Sequence, residues 1–315
     1  MARIFSMPVV IILIITITSF AQDTKIVVRQ AEKGGTEEFY VLQTDKRIKH
    51  GTYIRFFTPA GGYAIIESGS YSFGQKQGTW EYFYFKGLQR NSWNTLREKG
   101  TYVSDKKHGI WTTFYLDTVA SESNFERYGV KKKTDSVSVS IEQKTARLKQ
   151  AGMYLNDKRV GEWLTFDFNG NLVQRYNYTT RELLYDNSLI DSMTFNRDRK
   201  PIYIGGGIGL TEYLYYNFEF SRIPLPERDS AYAVVSFVID SLGNVEAPKI
   251  DRSSGSKELE KELIRLVVST AGNWVPGLKD GKKMPAHVYR IRKDIVVAKK
   301  GDESRQYKSY FTVVD

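Results

Sequence analysis

Cysteine is absent from the 315 residues, and histidine occurs only three times, at His50, His108 and His287. The absence of cysteine excludes disulfides, thiolate-ligated zinc, thiol nucleophiles and cysteine-linked lipid anchors. No two histidines have the spacing of a pair of metal ligands. Ser253 and Ser254 lack the Gly-x-Ser-x-Gly elbow of a serine nucleophile. We therefore expect no cofactor, no metal and no catalytic residue, and the sequence predicts a protein that is not an enzyme.

The N-terminal apolar run, Met7–Thr18, has 12 residues, fewer than the roughly 18–20 that span a bilayer. Arg3 precedes it, and the small residues Ser19 and Ala21 follow at the positions that a signal peptidase reads. This pattern predicts a signal peptide over residues 1–21, cleaved after Ala21, and a periplasmic protein. The alternative is an uncleaved segment that anchors the chain in the inner membrane.

Aromatic and basic residues are abundant. The chain has 21 Tyr, 17 Phe and 5 Trp beside 25 Gly and 8 Pro, a composition that favours β-structure with tight turns. The formal net charge is +10, so contact with an anionic surface is one expected property. The basic residues are spread through turns and are not clustered on a helix, which argues against binding of nucleic acid.

One pattern of glycine, aromatic and basic residues recurs three times in the first half of the chain. Its copies are Gly69, Tyr71, Lys76, Gly78, Trp80 and Phe83; Gly100, Tyr102, Lys107, Gly109, Trp111 and Phe114; and Gly152, Tyr154, Arg159, Gly161, Trp163 and Phe166. In each copy the second glycine lies 9 residues after the first, the tryptophan 11 and the phenylalanine 14. A degenerate fourth copy retains Lys49, Gly51, Tyr53 and Phe56. Such a repeat predicts a series of similar structural units.

Each unit has the pattern of a β-hairpin: a strand with the tyrosine, a polar turn such as Ser104–His108, and a returning strand with tryptophan and phenylalanine. Because side chains alternate along a strand, a separation of three places these two rings on opposite faces. A lone hairpin is marginally stable, so the copies are expected to share one sheet. The repeat aromatics are Trp80, Trp111, Trp163, Phe83, Phe114 and Phe166. Such rings either stack on a ligand or pack against neighbouring repeats.

These residues resemble the MORN-repeat variant family, whose unit reads G-x-Y, a basic turn, then G-x-W-x-x-[FY]. The resemblance covers about residues 40–180 and implies an elongated sheet of hairpins that contacts a protein or a membrane. We assign residues 22–200 to this domain. Copies two and three start 52 residues apart, against 31 for copies one and two. The insert around Asp117–Lys149 is therefore expected to form a protruding loop or an extra hairpin.

The second half predicts a small α/β module. A flexible glycine run over residues 205–209 leads into a helix at Thr211–Phe218, and two strands follow at Tyr232–Ile239 and Val245–Ile250. Ser256 is expected to cap a helix at Lys257–Thr270. The last strand alternates, with Tyr289, Ile291, Ile295 and Val297 on one face and Arg290, Arg292 and Asp294 on the other.

This order of elements resembles the C-terminal domain of the energy transducer TonB over about residues 201–298. The matched residues include Gly206, Leu214, Phe218, Val235, Phe237, Asp240, Gly243, Gly255, Trp274, Pro276, Gly277 and Gly281. The predicted fold class is thus α+β: a repeat-hairpin antiparallel β-sheet, a TonB C-terminal-like domain (helix–strand–strand–helix–strand) over residues 201–300, and a tail over residues 301–315.

In that family the last strand is a sheet edge that accepts an extended segment of an outer-membrane receptor by strand addition. Carried over by position, the edge is His287–Val297, and the resemblance implies the partner-binding residues Val288, Arg290, Ile291, Arg292, Ile295 and Val296. It also implies that the two arginines are available to acidic groups of the partner.

Together these patterns predict a non-enzymatic binding or adaptor protein of the cell envelope. Its expected partner is an envelope protein, with a TonB-dependent outer-membrane receptor as one candidate. The alternative is a TonB-type transducer variant that takes part in outer-membrane transport and keeps its N-terminal anchor. The sequence has no long Pro-rich span of the kind that a transducer uses to cross the periplasm, which favours the adaptor.

Overall fold

The computed structural model describes residues 24–32, 34–58, 64–84, 95–116, 147–189, 195–219, 223, 230–300 and 304–314. The predicted signal peptide and most of the predicted insert lie outside these residues. No helix in the described ranges is long and apolar enough to cross a membrane.

The N-terminal part forms one antiparallel sheet of eleven strands, in which each strand pairs with the next one along the chain. The strands are β1 (Thr24–Gln30), β2 (Thr36–Leu42), β3 (Lys49–Phe57), β4 (Ala64–Ser72), β5 (Gln75–Phe83), β6 (Leu96–Val103), β7 (Lys106–Phe114), β8 (Leu148–Leu155), β9 (Lys158–Phe166), β10 (Leu172–Asn177) and β11 (Glu182–Asp186). The three repeat copies are the hairpins β4–β5, β6–β7 and β8–β9, which confirms a shared antiparallel sheet of repeat hairpins.

The hairpin turns are shorter than predicted. In the second copy the turn has two residues, Ser104 and Asp105, both with positive φ, and β7 begins at Lys106. His108, which the sequence pattern placed at the end of the polar turn, therefore lies on a strand and is half-buried. Two-residue turns with both central residues at positive φ match the twist of the flanking strands, which explains this compact geometry.

Successive hairpins are joined at their turns by an aspartate that the sequence pattern did not reveal. The Asp105 carboxylate accepts a hydrogen bond from the Lys76 amide at 2.7 Å, and its own amide donates to the Lys76 carbonyl at 3.1 Å. Asp157 makes the same two contacts with Lys107, at 2.8 and 3.0 Å. Each turn thus extends the hydrogen bonding between neighbouring hairpins beyond the last paired residues of their strands. These contacts fix the spacing of the repeats.

In its described residues the C-terminal part has two helices of twelve residues each and a four-stranded antiparallel sheet in the order β14–β13–β18–β19. Its elements are β12 (Ile202–Tyr203), α1 (Gly206–Asn217), β13 (Ser230–Asp240), β14 (Val245–Ser253), α2 (Lys257–Val268), β15 (Trp274–Val275), β16 (Leu278–Lys279), β17 (Lys282–Lys283), β18 (Ala286–Lys300) and β19 (Ser304–Val313). The molecule is therefore α+β. The prediction of a tail over residues 301–315 is wrong, because most of these residues form β19, a strand paired with β18.

The apolar faces of the helices and the sheet form one core. Leu259, Leu263, Leu266 and Val267 of α2, with Leu210 and Leu214 of α1, pack against Val235, Phe237, Ile239, Ile291 and Ile295. Ser256 caps α2 as predicted, because its side chain accepts the Leu259 amide. The helix ends at Val268, two residues earlier than expected.

The glycine run forms the start of α1 and is not a flexible lead into it. Gly205 precedes the helix with φ of 104°, and a Cβ added to Gly206 would lie 2.9 Å from Val173 of β10. The glycines therefore let the helix start approach the repeat sheet closely. This long-range contact explains why α1 begins five residues before the predicted helix.

The two halves meet at a buried glutamine on β10. The Gln174 amide nitrogen donates to the Asp186 carboxylate at 2.9 Å and to the Tyr203 carbonyl at 3.1 Å. Its amide oxygen accepts the Gly205 amide at 2.6 Å. Val275 of β15 adds an apolar contact, because it packs in a cluster with side chains of β10 and β11. The repeat sheet and the C-terminal part therefore pack against each other.

Candidate binding site

The predicted edge strand is an inner strand of the C-terminal sheet. β18 pairs with β13 from Ala286 to Val296 on one side and with β19 from Ile291 to Lys300 on the other. The prediction that His287–Val297 forms a sheet edge is therefore wrong from residue 291 onward. The reason is that β19 takes up the main-chain donors and acceptors that an edge would offer.

The six predicted partner-binding residues divide between the two faces of β18. Ile291 and Ile295 are fully buried in the core beneath the helices. Val288 and Val296 are exposed on the opposite face, where Arg290 is exposed and Arg292 is half-buried. The predicted alternation of an apolar and a charged face is confirmed at these positions. The structure does not bring the six side chains together on one surface.

Both arginines are paired with carboxylates of the same chain. Arg290 donates to Asp251 at 3.2 Å, and Arg292 donates to both carboxylate oxygens of Asp294 at 2.7–2.9 Å. A hydrogen bond from Ser236, together with the one from Arg290, holds the pKa of Asp251 below its usual range. The implied availability of the arginines to a partner's acidic groups is therefore wrong in this conformation.

A lysine occupies the core-facing position between the two buried isoleucines. Lys293 has no exposed surface, and its Nζ lies 3.8 Å from the centroid of the Phe311 ring and 4.3 Å from that of Phe218. In the part of the chain that the structure describes, no hydrogen-bond partner reaches this Nζ. Burial lowers the pKa of Lys293 to about 8, against the opposing effect of Asp294. Lys293 therefore remains mostly protonated at neutral pH, as a buried ammonium held by two aromatic rings.

Lys293 is missing from the predicted site residues, although the sequence contained its signal. Tyr289, Ile291 and Ile295 all face the core, and residue 293 belongs to the same alternating series. Lysines are almost never fully buried without a partner. A lysine at an apolar position of an alternating strand was thus the observable clue to this site.

The C-terminal sheet has two outer edges, and they differ in regularity. On β14, Pro248 has no amide hydrogen, Ala247 has φ of 47°, and the pairing with β13 shifts register twice. Such features hinder an edge strand from pairing with another chain. On the other side, β19 pairs with β18 over ten consecutive residues in one register and contains no proline. The regular side of this sheet is therefore the β19 side.

The tryptophans of the repeat units are buried, with exposed fractions of 0% for Trp80, 1% for Trp111 and 4% for Trp163. Each indole nitrogen donates to a backbone carbonyl of the adjacent strand at 3.1 Å. On the outer side of the rings lie basic groups: Lys76, Lys107 and Arg159, at 3.8, 4.0 and 4.3 Å from the ring centroids. The rings therefore pack inside the repeat sheet and do not form an exposed stacking surface.

The phenylalanines of the units lie on the other face of the sheet, as predicted. Phe83 is buried in a cluster with Ile65 and Leu96, against which Phe114 packs, and Trp80 belongs to a separate cluster. Phe114 and Phe166 are half-buried. The six repeat aromatics are thus divided between two packed layers.

Two of the three basic groups over the tryptophans lie near a carboxylate of the same chain. Lys107 forms an ion pair with Glu98, and Lys76 lies 3.9 Å from the equivalent Glu67. In the third unit Gln150 takes the place of this glutamate, and Arg159 donates instead to the hydroxyls of Tyr154 and Tyr178, at 3.3 and 2.7 Å. The charge of Lys107 is therefore balanced by a carboxylate, Lys76 shares Glu67 with Arg55, and the charge of Arg159 is not balanced by these hydroxyl contacts.

The described residues contain no group of three or more His, Cys, Asp or Glu side chains that could hold a metal ion. His50 accepts a hydrogen bond from the Phe73 amide at 3.2 Å. The Nδ1 atom of His108 is buried and has no hydrogen-bond partner within the described ranges. His287 lies on β18, where its ring contacts that of Tyr289.

Comparisons with protein-family models, with curated proteins and with solved structures found no match to this chain. The resemblances to the MORN-repeat variant family and to the TonB C-terminal domain therefore stay predictions from the motifs.

Proposed function

We propose that the chain is a non-enzymatic binding or adaptor protein of the cell envelope. It is exported by its N-terminal segment and engages an extended segment of an envelope or outer-membrane protein by strand addition on the β19 side of its C-terminal sheet. The observation that carries this proposal is the contrast between the two edges: the β14 edge is bulged and contains Pro248, whereas β19 keeps one register over ten residues.

Strand addition requires main-chain hydrogen bonds along a straight edge and alternate side chains that select the partner. The β19 side fits both requirements, since β19 keeps one register with β18 over ten residues and the side chain of Tyr310 is exposed. The repeat sheet fits a supporting role, because its tryptophans are buried and it contacts the C-terminal part through Gln174.

Site-specific photocrosslinking in the cells that produce the chain tests the proposal. A photoreactive residue replaces Tyr310 on β19 in one variant of the full chain and Lys249 on β14 in a matched control; both positions are exposed. We expect one discrete envelope protein to be crosslinked through an extended segment from position 310 and not from position 249. Equal crosslinking from both positions, or none from position 310, would overturn the proposal.

A further inference from the structure

Within the described residues, the strand β19 leaves Lys293 without a hydrogen-bond acceptor. Phe311 is the direct cross-strand partner of Lys293. The residues of β19 on the same face, Ser309 and Val313, face Ile295 and Ile291, so β19 presents no carboxylate to the ammonium. A buried charged group without a hydrogen-bond acceptor costs free energy, which aromatic contact offsets only in part. With Phe311 opposite Lys293, β19 thus gives the ammonium an aromatic contact but no hydrogen-bond acceptor.

The carboxylate nearest along the chain does not supply the missing partner. Asp294 follows Lys293 on β18 and is held by Arg292 through three hydrogen bonds. Neighbouring residues of a strand point to opposite faces of the sheet, so Asp294 lies on the outer face and Lys293 on the core face. On the other side of β18, the cross-strand partner of Lys293 is Ala233 of β13, which has no side-chain acceptor. Among the described neighbours, the strand position that Phe311 occupies is therefore the one from which an acceptor can face Lys293.

We propose that β19 is a displaceable resident strand, and that the incoming segment takes its place beside β18 and presents a carboxylate to Lys293. This inference rests on the proposed function and specifies how the segment enters on the β19 side of the sheet: it exchanges with β19 beside β18 and does not pair with the outer edge of β19. It also names the class of segment that is selected. Cross-strand partners have Cβ atoms about 4.5–5.5 Å apart, so an aspartate or glutamate opposite Lys293 reaches its Nζ. The side chains two residues before and after it face Ile291 and Ile295. The recognised pattern is apolar-x-acidic-x-apolar in an extended segment.

A comparison of peptides on the full chain tests the carboxylate. The probes are fluorescent peptides of residues 304–314 with the natural phenylalanine, with glutamate or with glutamine at position 311; all three meet the same competing β19. We expect the glutamate peptide to bind at least tenfold more tightly than the glutamine peptide. This advantage should vanish on the Lys293→Met chain. The proposal is overturned if glutamate gives no advantage over glutamine, or if the advantage survives in Lys293→Met.

The same comparison within the chain decides the matter where the peptides bind too weakly to measure. Phe311→Glu and Phe311→Gln both remove the ring, so their difference reports the charge alone. Hydrogen exchange of the β19 amides should be at least tenfold slower in Phe311→Glu than in Phe311→Gln. Equal or faster exchange in Phe311→Glu would overturn the proposal.

The two proposals fail separately. Crosslinking from position 310 without a glutamate advantage removes the role of Lys293 and leaves strand addition intact. A glutamate advantage without any crosslinked protein in cells leaves the Lys293 position intact and removes the proposed function.

Discussion

At the scale of single residues, the repeat unit is a three-layer stack of glycine, tryptophan and a basic side chain. The Trp111 ring lies so close to Gly100 that a Cβ there would sit 2.1 Å from a ring atom, and the equivalent distances at Gly69 and Gly152 are 2.3 and 2.2 Å. The first glycine of each copy is therefore required by space, whereas Gly109, with φ of 72°, is required by backbone conformation. The two glycines of one motif are thus required for different physical reasons.

We predict that Gly100→Ala destabilises the protein by about 3 kcal/mol, because the added methyl group displaces the buried Trp111 ring. Chemical denaturation followed by tryptophan fluorescence measures the change. The matched control is Gly207→Ala on α1, where an added Cβ meets no atom within 4 Å and alanine favours the helix. A cost at Gly100 no larger than that at Gly207 would contradict this account of the stack.

At the scale of secondary-structure elements, local patterns predicted what local forces determine. The hairpins followed from the Gly-Trp-Phe spacing, β13 from its nearly continuous apolar run, and α2 from its apolar periodicity. β19 did not, because its alternation is incomplete: Ser309 occupies a position on the same face as Phe311 and Val313. Its conformation depends on pairing with β18, and no sequence pattern fixed that pairing. The core-facing position of Lys293 could be recognised from the alternation of β18, but its contact with Phe311 could not, because that contact depends on the same pairing.

The docking of β19 on β18 is expected to depend on pH through Lys293. Burial lowers its pKa to about 8, whereas a lysine in the unfolded chain has a pKa of about 10.4. Between these values the unfolded state binds more protons, so the free energy of unfolding rises with pH. Asp294, which is paired with Arg292, is the charged group that opposes this lowering of the pKa. From the neighbouring described elements, the aromatic rings of Phe218 and Phe311 face the Nζ atom of Lys293.

The measurement is the difference in unfolding free energy between the wild type and Lys293→Met from pH 7 to pH 10. This difference isolates Lys293, because the tyrosines that titrate in the same range are common to both chains. The unfolding free energy of the wild type should rise by about 2 kcal/mol relative to that of Lys293→Met as the pH rises. A difference that stays constant with pH would mean that Lys293 is not buried as an ammonium.

At the scale of the whole molecule, the two halves are coupled by polar contacts that span long sequence separations. Gln174 contacts Tyr203 and Gly205, 29 and 31 residues away, and Lys149 forms an ion pair with Glu212. The division into a repeat sheet and an α/β module could be predicted from composition and motifs. Their packing could not be predicted, because no sequence pattern links a glutamine on a strand to a glycine run at the start of a helix.

We predict that Gln174→Glu uncouples the halves. The substitution keeps the size of the side chain and its acceptor for the Gly205 amide, but it replaces the donor to Asp186 and Tyr203 with an acceptor. At pH 7 a buried carboxylate then faces the Asp186 carboxylate, which should cost at least about 3 kcal/mol of unfolding free energy.

The sign of the pH dependence follows from burial and from Asp186, which both raise the pKa of the introduced carboxyl group in the folded state. The penalty is therefore complete at high pH and shrinks toward pH 4, where the protonated group is neutral and donates one hydrogen bond. The control is Gln77→Glu, because exposed Gln77 uses only its amide oxygen, as acceptor for the Ser104 amide at 3.1 Å. That substitution should change stability by less than about 0.5 kcal/mol at either pH. Equal effects at the two glutamines in thermal unfolding would show that Gln174 does not hold the halves together.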